Sequence, residues 1–372
     1  MTTETDSSAS PESTQMSRRQ GWVLVGALLL LSLVLFFIDF SPSEAEPRQV
    51  AEAAGFQPLA ILSDVEMSFA PGLGENTAVF IGTLTPGSKH QLNAIDFTTG
   101  EQQWAVTGSD RSYPYFWPEE WPWSWPLRWE WGPLIIVDDK VMVADAFLLT
   151  TSVNSFDVTT GEPGWQRTIG TINGSSISYL AALDDEIALR ISVEGFNEFQ
   201  ILDTDVGFRQ YQRMQDANHI FWAEQEPQQV FEAFANQIRV TGDSGWQQSV
   251  SGCNVQPILL AELVVVKTNR CGRGEFKGHP GVFALSRANG ALLWQLNQEV
   301  VSNLAVDGTH VVGLTSEANL LVIDVGSGAV FSSLPFSPLE FGEERDYFIA
   351  ARDGVISVYF GDSHELIFVR YQ

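Results

Sequence analysis

From residue 57 to residue 372, short apolar runs alternate with polar corners marked by glycine, the pattern of strands joined by tight turns. Residues 77–83 (TAVFIGT) and 92–96 (LNAID) read as two strands, and a Thr98-Thr99-Gly100 corner returns the chain through Trp104. The arrangement comes back at 153–165 (VNSFDVTTGEPGW), 199–211 (FQILDTDVGFRQY), 283–294 (FALSRANGALLW) and 321–331 (LVIDVGSGAVF). The chain is an array of one unit.

Each part of the unit has a physical task. Ile95, Phe156, Leu202, Leu285 and Ile323 close the strand that enters the turn. Asp96, Asp157, Asp203 and Asp324 follow, placed to accept backbone N–H bonds inside the corner. Gly100, Gly161, Gly207, Gly290 and Gly328 supply a residue that takes positive φ without a Cβ penalty. The aromatics on the returning strand, Trp104, Trp165, Tyr211, Trp294 and Phe331, are large enough to pack between neighbouring sheets.

The turn glycines are 61, 46, 83 and 38 residues apart, and the wide interval holds a shortened copy at 238–246 (IRVTGDSGW). Strands around 348–350, 355–360 and 366–371 make a last unit without a glycine corner. Units of about 40 to 50 residues with several strands each predict an all-β fold, a β-propeller of four-stranded blades. Seven blades fit best; six follow if 238–246 is an insertion, eight if the first interval divides. A strand at 59–69 (LAILSDVEMSF) is expected to complete the last blade and close the ring, which removes exposed sheet edges.

On these motifs the chain resembles the PQQ-like β-propellers, the family of quinoprotein dehydrogenases and outer-membrane assembly lipoproteins. The likeness covers residues 57–372 and is closest at 77–104. It implies a fold; propellers host unrelated activities. The quinoprotein enzymes of the family hold PQQ and calcium in the propeller funnel and bond two adjacent cysteines. Cys253 and Cys271 are not adjacent, and no recognisable quinone-binding set is present, so neither PQQ nor calcium is expected here.

Ahead of the array, residues 1–20 read as a disordered cytoplasmic tail. Residues 21–39 begin with an uninterrupted apolar run (GWVLVGALLLLSLVLFFI, 21–38), enough to cross a bilayer as a helix. Ser43-Glu44-Ala45 is a poor cleavage site, which favours an uncleaved signal-anchor over a removed signal peptide. Arg18 and Arg19 before the run keep the N-terminus in the cytoplasm. The expectation is a single-pass membrane protein with an acidic linker over 40–56 and an extracytoplasmic propeller.

Charge narrows the partners. Twenty Lys and Arg against 46 Asp and Glu give a net charge of −26, without the clustered cations that nucleic acid requires. Six of the twelve tryptophans, Trp117, Trp121, Trp123, Trp125, Trp129 and Trp131, crowd an insertion over 111–132. They read as a loop folded on the propeller, as a platform for a glycan or peptide, or as a group at the membrane interface. Cys253 and Cys271 are expected to be bonded in an oxidising compartment, the alternative being two separate thiols.

Catalytic motifs are wanting. Gly242-Asp243-Ser244-Gly245 belongs to the shortened turn rather than to a nucleophile. His90, His219, His279, His310 and His364 are scattered without zinc spacing. Asp138-Asp139 and Asp184-Asp185 read as solvated hairpin corners, the alternative being a calcium site. The sequence therefore points to a non-catalytic binding or scaffold module for a protein or envelope component, with the Trp-rich insertion as its contact. The alternative is a quinoprotein-like or other propeller enzyme with its site in the central channel.

Overall fold

A computed structural model describes residues 55–372 except 68, 86–90, 108–129, 148–149, 171–175, 184–185, 194–195, 204–209, 215–219, 226–227, 235, 243–244, 272–278 and 337–346. Among the described residues no helix is long and apolar enough to cross a membrane; residues 1–54, with the expected tail, anchor and most of the linker, lie outside them.

The described strands form seven antiparallel sheets. The first holds β2 (Glu66–Met67), β3 (Gly72–Leu73), β4 (Thr77–Thr83), β5 (Gln91–Asp96) and β6 (Gln102–Val106). The second runs through β7 (Glu130–Val137), β8 (Lys140–Phe147), β9 (Thr150–Asp157) and β10 (Pro163–Gly170). The third has β11 (Ser176–Leu183), β12 (Glu186–Val193), β13 (Phe196–Asp203) and β14 (Gln210–Met214). The fourth has β15 (Ile220–Gln225), β16 (Gln228–Phe234), β17 (Gln237–Gly242) and β18 (Trp246–Ser249). The fifth has β19 (Cys253–Leu259), β20 (Leu263–Asn269), β21 (Gly281–Ser286) and β22 (Leu292–Leu296). The sixth has β23 (Ala305–Asp307), β24 (His310–Leu314), β25 (Asn319–Asp324) and β26 (Val330–Pro335). The seventh joins β27 (Tyr347–Arg352), β28 (Val355–Phe360) and β29 (Glu365–Tyr371) to β1 (Phe56–Leu62) from the other end of the chain. Consecutive four-stranded meanders closed by a strand from the opposite terminus are the arrangement of a β-propeller.

Middle strands such as β4, β20 and β28 are buried along nearly their whole length because both faces of their sheets are covered. Val264 and Val266 of β20 face the fourth sheet with Phe231 and Ile238, while Val265 between them faces the sixth with Val311 and Ile323. Phe80 and Ile95 meet Tyr359 and Phe368 in the same way across the seventh and first sheets.

The corners carry the repeat chemistry. Asp96 Oδ1 accepts from the Thr98 and Thr99 N–H groups at 2.7 and 3.1 Å, and the Gly100 N–H donates to Asp96 O. Asp157 makes the same corner with Thr159, Thr160 and Gly161, and Asp324 with Ser327 and Gly328. The Thr98 hydroxyl first, then the backbone donors, hold the Asp96 carboxyl below its usual range. Gly100, Gly161, Gly290 and Gly328 all have φ between +70° and +77°.

Those glycines also receive the aromatics. The Trp294 ring lies on Gly328 and its Nε1–H donates to Val325 O at 2.6 Å. Trp104 sits so on Gly161, donating to Val158 O at 3.0 Å, and Trp246 on Gly290, donating to Arg287 O at 2.8 Å. A ring from one sheet thus plugs the corner of the next. Gly207, the corner expected to receive Trp165, lies outside the described residues.

The pattern departs at three places. Phe331 stands three residues after Gly328, whereas Trp294 stands four after Gly290, so Ser332, not Phe331, lies opposite Val322 in the register that Trp294 holds opposite Ala284. Because side chains alternate along a strand, the one-residue slip turns Phe331 outward, and it is 55% exposed. In the third sheet Gln210 stands opposite Ile201, so Tyr211 lies one place beyond the position of Trp104. The expected strand over 59–69 divides at Asp64, whose φ is +62°. Its first part belongs to β1 in the seventh sheet and its second, β2, to the first sheet.

The seventh sheet has no glycine corner to receive a ring, and a polar latch holds that seam. Tyr371 Oη–H donates to Asp307 Oδ2 at 2.8 Å, and the Asp307 carboxylate accepts from the Asp353 and Gly354 N–H groups at 2.8 and 2.7 Å. Burial, then this bond, hold the Tyr371 phenol above its ordinary range. Tyr371→Phe is expected to cost about 1–2 kcal/mol, read as a lower urea midpoint with unchanged slope.

Candidate functional site

An antiparallel meander places its turns alternately at two ends. Connections from first to second and from third to fourth strands meet at one face, and every one of them is between two and six residues long. The other face takes the second-to-third connections and the crossings between sheets. There lie 107–129 (23 residues), 270–280 (11), 297–304 (8) and 336–346 (11). All the long connections therefore rise from one face, here called the loop face. Phe56 and Tyr371, paired at the start of β1 and the end of β29, stand at the opposite, turn face.

On the loop face a cleft of about 250 Å³ lies between the fifth and sixth sheets. Arg270 and His279, flanking the long connection of the fifth sheet, line one side. Asn297, Glu299, Ser316 and Glu317 line the other. Arg270 Nη2 lies 3.1 Å from Glu299 Oε2, with the arginine side chain 75% exposed and the glutamate 23%.

Two features fix this side of the cleft. Cys253 and Cys271 are joined by a disulfide with Cα atoms 5.1 Å apart, tying β19 to the residue after Arg270. Gly252, at φ +93°, lets the backbone reach Thr268 so that Cys253 pairs with Asn269; a Cβ there would stand 2.4 Å from Thr268 Oγ1. Beneath, Lys267 on β20 points toward the sixth sheet, 3% exposed, and its Nζ–H donates to Ser302 O. Burial pulls the Lys267 amine down to about 8, opposed in part by the Glu299 carboxylate.

Among the tryptophans of the insertion, Trp117, Trp121, Trp123, Trp125 and Trp129 lie outside the described residues, and Trp131 is in β7, where only the backbone is described. The ends of that insertion, Val106 and Glu130, close β6 and open β7 at the loop face. Asp138, at φ +53°, is a hairpin corner of the turn face; Asp184 and Asp185 lie outside the described residues. Among the described residues no three His, Cys, Asp or Glu side chains stand where they could hold a metal ion.

No protein-family model and no curated protein matches the sequence. Solved structures do. BamB from Moraxella catarrhalis is similar at 16% identity, over 87% of this chain and 94% of that one, with a TM-score of 0.43. The computationally designed Ika8 protein is similar at 12% identity, over 85% and 100%, with a TM-score of 0.48. A chain in the crystal structure of the mitotic checkpoint complex is similar at 10% identity, over 85% and 96%, with a TM-score of 0.54. The last likeness is one of fold alone.

Reading the sequence by motif passed over Lys267, Arg270 and Glu299, and considered His279 only as a zinc ligand. The signal was local charge. In a chain of net charge −26, residues 267–279 hold Lys267, Arg270, Arg273 and Lys277 against Glu275 alone. That is four of the 20 basic residues, and two of the four lysines.

Proposed function

We propose that the chain is a seven-bladed, non-catalytic binding module, held outside the cytoplasm by a helix at 21–38, that takes a protein or envelope component on its loop face. The observation that carries this reading is the division of labour between the two faces. Every turn-face connection is six residues long or shorter, whereas the other face carries the 23-residue Trp-rich insertion and the disulfide-held connection. Length beyond closure costs order without adding core, and on a rigid sheet scaffold such loops are where recognition resides.

The test uses the full chain in detergent, immobilised by a C-terminal tag, with envelope extract passed over wild type and the Trp121→Ala/Trp123→Ala/Trp125→Ala variant. A defined protein recovered with the wild type and reduced about tenfold with the variant, at equal circular dichroism, is the expected result. Equal recovery by both forms would take the insertion out of the contact. Recovery of no protein by either would remove the binding-module reading.

A further inference from the structure

We infer that the outer rim of the fifth and sixth sheets, at the turn face, is a lipid-contact surface that sets Leu292, Leu293, Val330 and Phe331 into the headgroup layer of a zwitterionic bilayer. This rests on the reading of 21–38 as a membrane anchor.

The fourth strands form the rim, because the first strands gather at the centre, where β23 lies beside β27 and β7 beside β11. In the first and second sheets the passage from glycine corner to fourth strand reads GEQQW (100–104) and GEPGW (161–165). In the fifth and sixth it reads GALLW (290–294) and GAVF (328–331). The fold does not ask for the change, since Glu101, Gln102 and Gln103 are as exposed in the first sheet as their counterparts are in the fifth. Leu292, Leu293, Val330 and Phe331 are between 43% and 55% exposed. They are four of the five large apolar side chains exposed among the described residues, and such a gathering marks a contact surface.

The four belong to one strip. The Trp294 ring lies on Gly328, so the strand that carries Leu292 and Leu293 meets the corner that leads into Val330 and Phe331. Phe331 extends the strip into the seventh sheet. Its ring is 4.9 Å from that of His310 and 6.5 Å from that of Tyr371, which is in turn 6.5 Å from that of Phe56. No charged residue occurs over 288–298 or 325–336. The acidic corners at Glu262, Asp307 and Asp353 belong to first-to-second turns, nearer the centre, and the Asp324 carboxylate is turned onto Ser327.

Two observations choose the occupant. Gly55 lies beside Ser332, where a Cβ would stand 3.6 Å from the serine Oγ, so the chain enters the propeller next to Phe331. Sixteen residues, 39–54, separate that point from the apolar run, at most about 55 Å of chain. A bilayer that holds the run is thus kept at high effective concentration beside the strip. The net charge of −26 opposes the other candidates, because it repels a second copy and an anionic lipid surface alike. Neutral headgroups carry no such penalty, and half-buried aromatic rings suit the interfacial layer. The loop face is left to the partner.

The full chain is reconstituted into phosphatidylcholine vesicles that contain lipid spin-labelled near the headgroup. Cys253 and Cys271 are bonded to each other, so one introduced cysteine takes a fluorophore alone. Ala329→Cys and Glu101→Cys place it directly after the corner glycine of the sixth and the first sheet. The lipid quenches the label in Ala329→Cys about threefold more than in Glu101→Cys. Adding Leu292→Gln, Leu293→Gln, Val330→Gln and Phe331→Gln brings the two to the same level. Glutamine already fills the first sheet's equivalent positions, and circular dichroism checks that the fold is kept. Equal quenching at the two positions, or quenching that survives the glutamines, overturns the assignment. So does a label shielded equally in detergent by a chain that sediments as a dimer, which would give the strip to a second copy. Flotation of the vesicles after an alkaline wash reads the anchor separately. A chain that stays with the vesicles without rim quenching keeps the anchor and loses the lipid surface. Rim quenching in a chain that the wash releases does the reverse.

Discussion

Trp294→Ala is expected to cost about 4 kcal/mol of stability, and Gly328→Ala about 3. The ring is 9% exposed and its removal leaves a cavity between the fifth and sixth sheets, with Val325 O deprived of its donor. Gly328 fails for two separable reasons. At φ +72° an L side chain costs about 1–2 kcal/mol, and its Cβ would stand 2.5 Å from Trp294 Cδ2, well inside contact distance. The two residues therefore act as one joint. With Trp294 already alanine, Gly328→Ala retains only the backbone penalty, so the double variant falls short of additivity by about 2 kcal/mol. Urea unfolding of the four proteins measures this. Additive costs would mean that the ring does not rest on the glycine.

The largest pH effect is expected at Lys267. Its amine titrates at about 8 in the folded chain and near 10.5 when unfolded, so between those values the unfolded chain holds a proton that the folded chain has lost. Unfolding free energy then rises with pH across that window, by up to about 3 kcal/mol from this group. Below pH 8 both states are protonated and the burial penalty is present in full. Lys267→Met removes the penalty and also the donor to Ser302 O, which offsets part of the gain, for a net stabilisation of about 1–2 kcal/mol at pH 7. The difference between wild type and variant should shrink, then reverse, as pH rises from 8 to 10.5. A constant difference would show that Lys267 titrates normally.

The repeat was legible because its chemistry is local. Asp96, Thr98, Thr99 and Gly100 close their corner with one another's atoms, and a turn so built can be read wherever it recurs. Phe331 matches the packing aromatics in type but not in spacing: it stands three residues after Gly328, where Trp104 and Trp294 stand four after their glycines, and one place along a strand reverses the face. The strand over 59–69 looked continuous for a different reason. Asp64 takes a positive φ only because Val65 N–H is bonded to His364 O, a contact 299 residues away in sequence. The cleft lay furthest from view. Arg270, Glu299 and Ser316 come from three connections in two sheets, and nothing along the chain places them together. Only the basic run marked one wall.

The pairing of β1 with β29 bears on how the protein is made. The first strand of the array is synthesised some 300 residues before its partner, since Phe56 must wait for Tyr371. Until then β1 has no ladder, and the first sheet lacks the surface of Tyr359 and Phe368 that covers Phe80 and Ile95. Ring closure is therefore a late, post-synthetic event set by long loop closure, slow by the measure of contact order. A chain interrupted anywhere before Glu365 is left with an unpaired edge and an open core, a species suited to chaperones and proteases rather than to a partner.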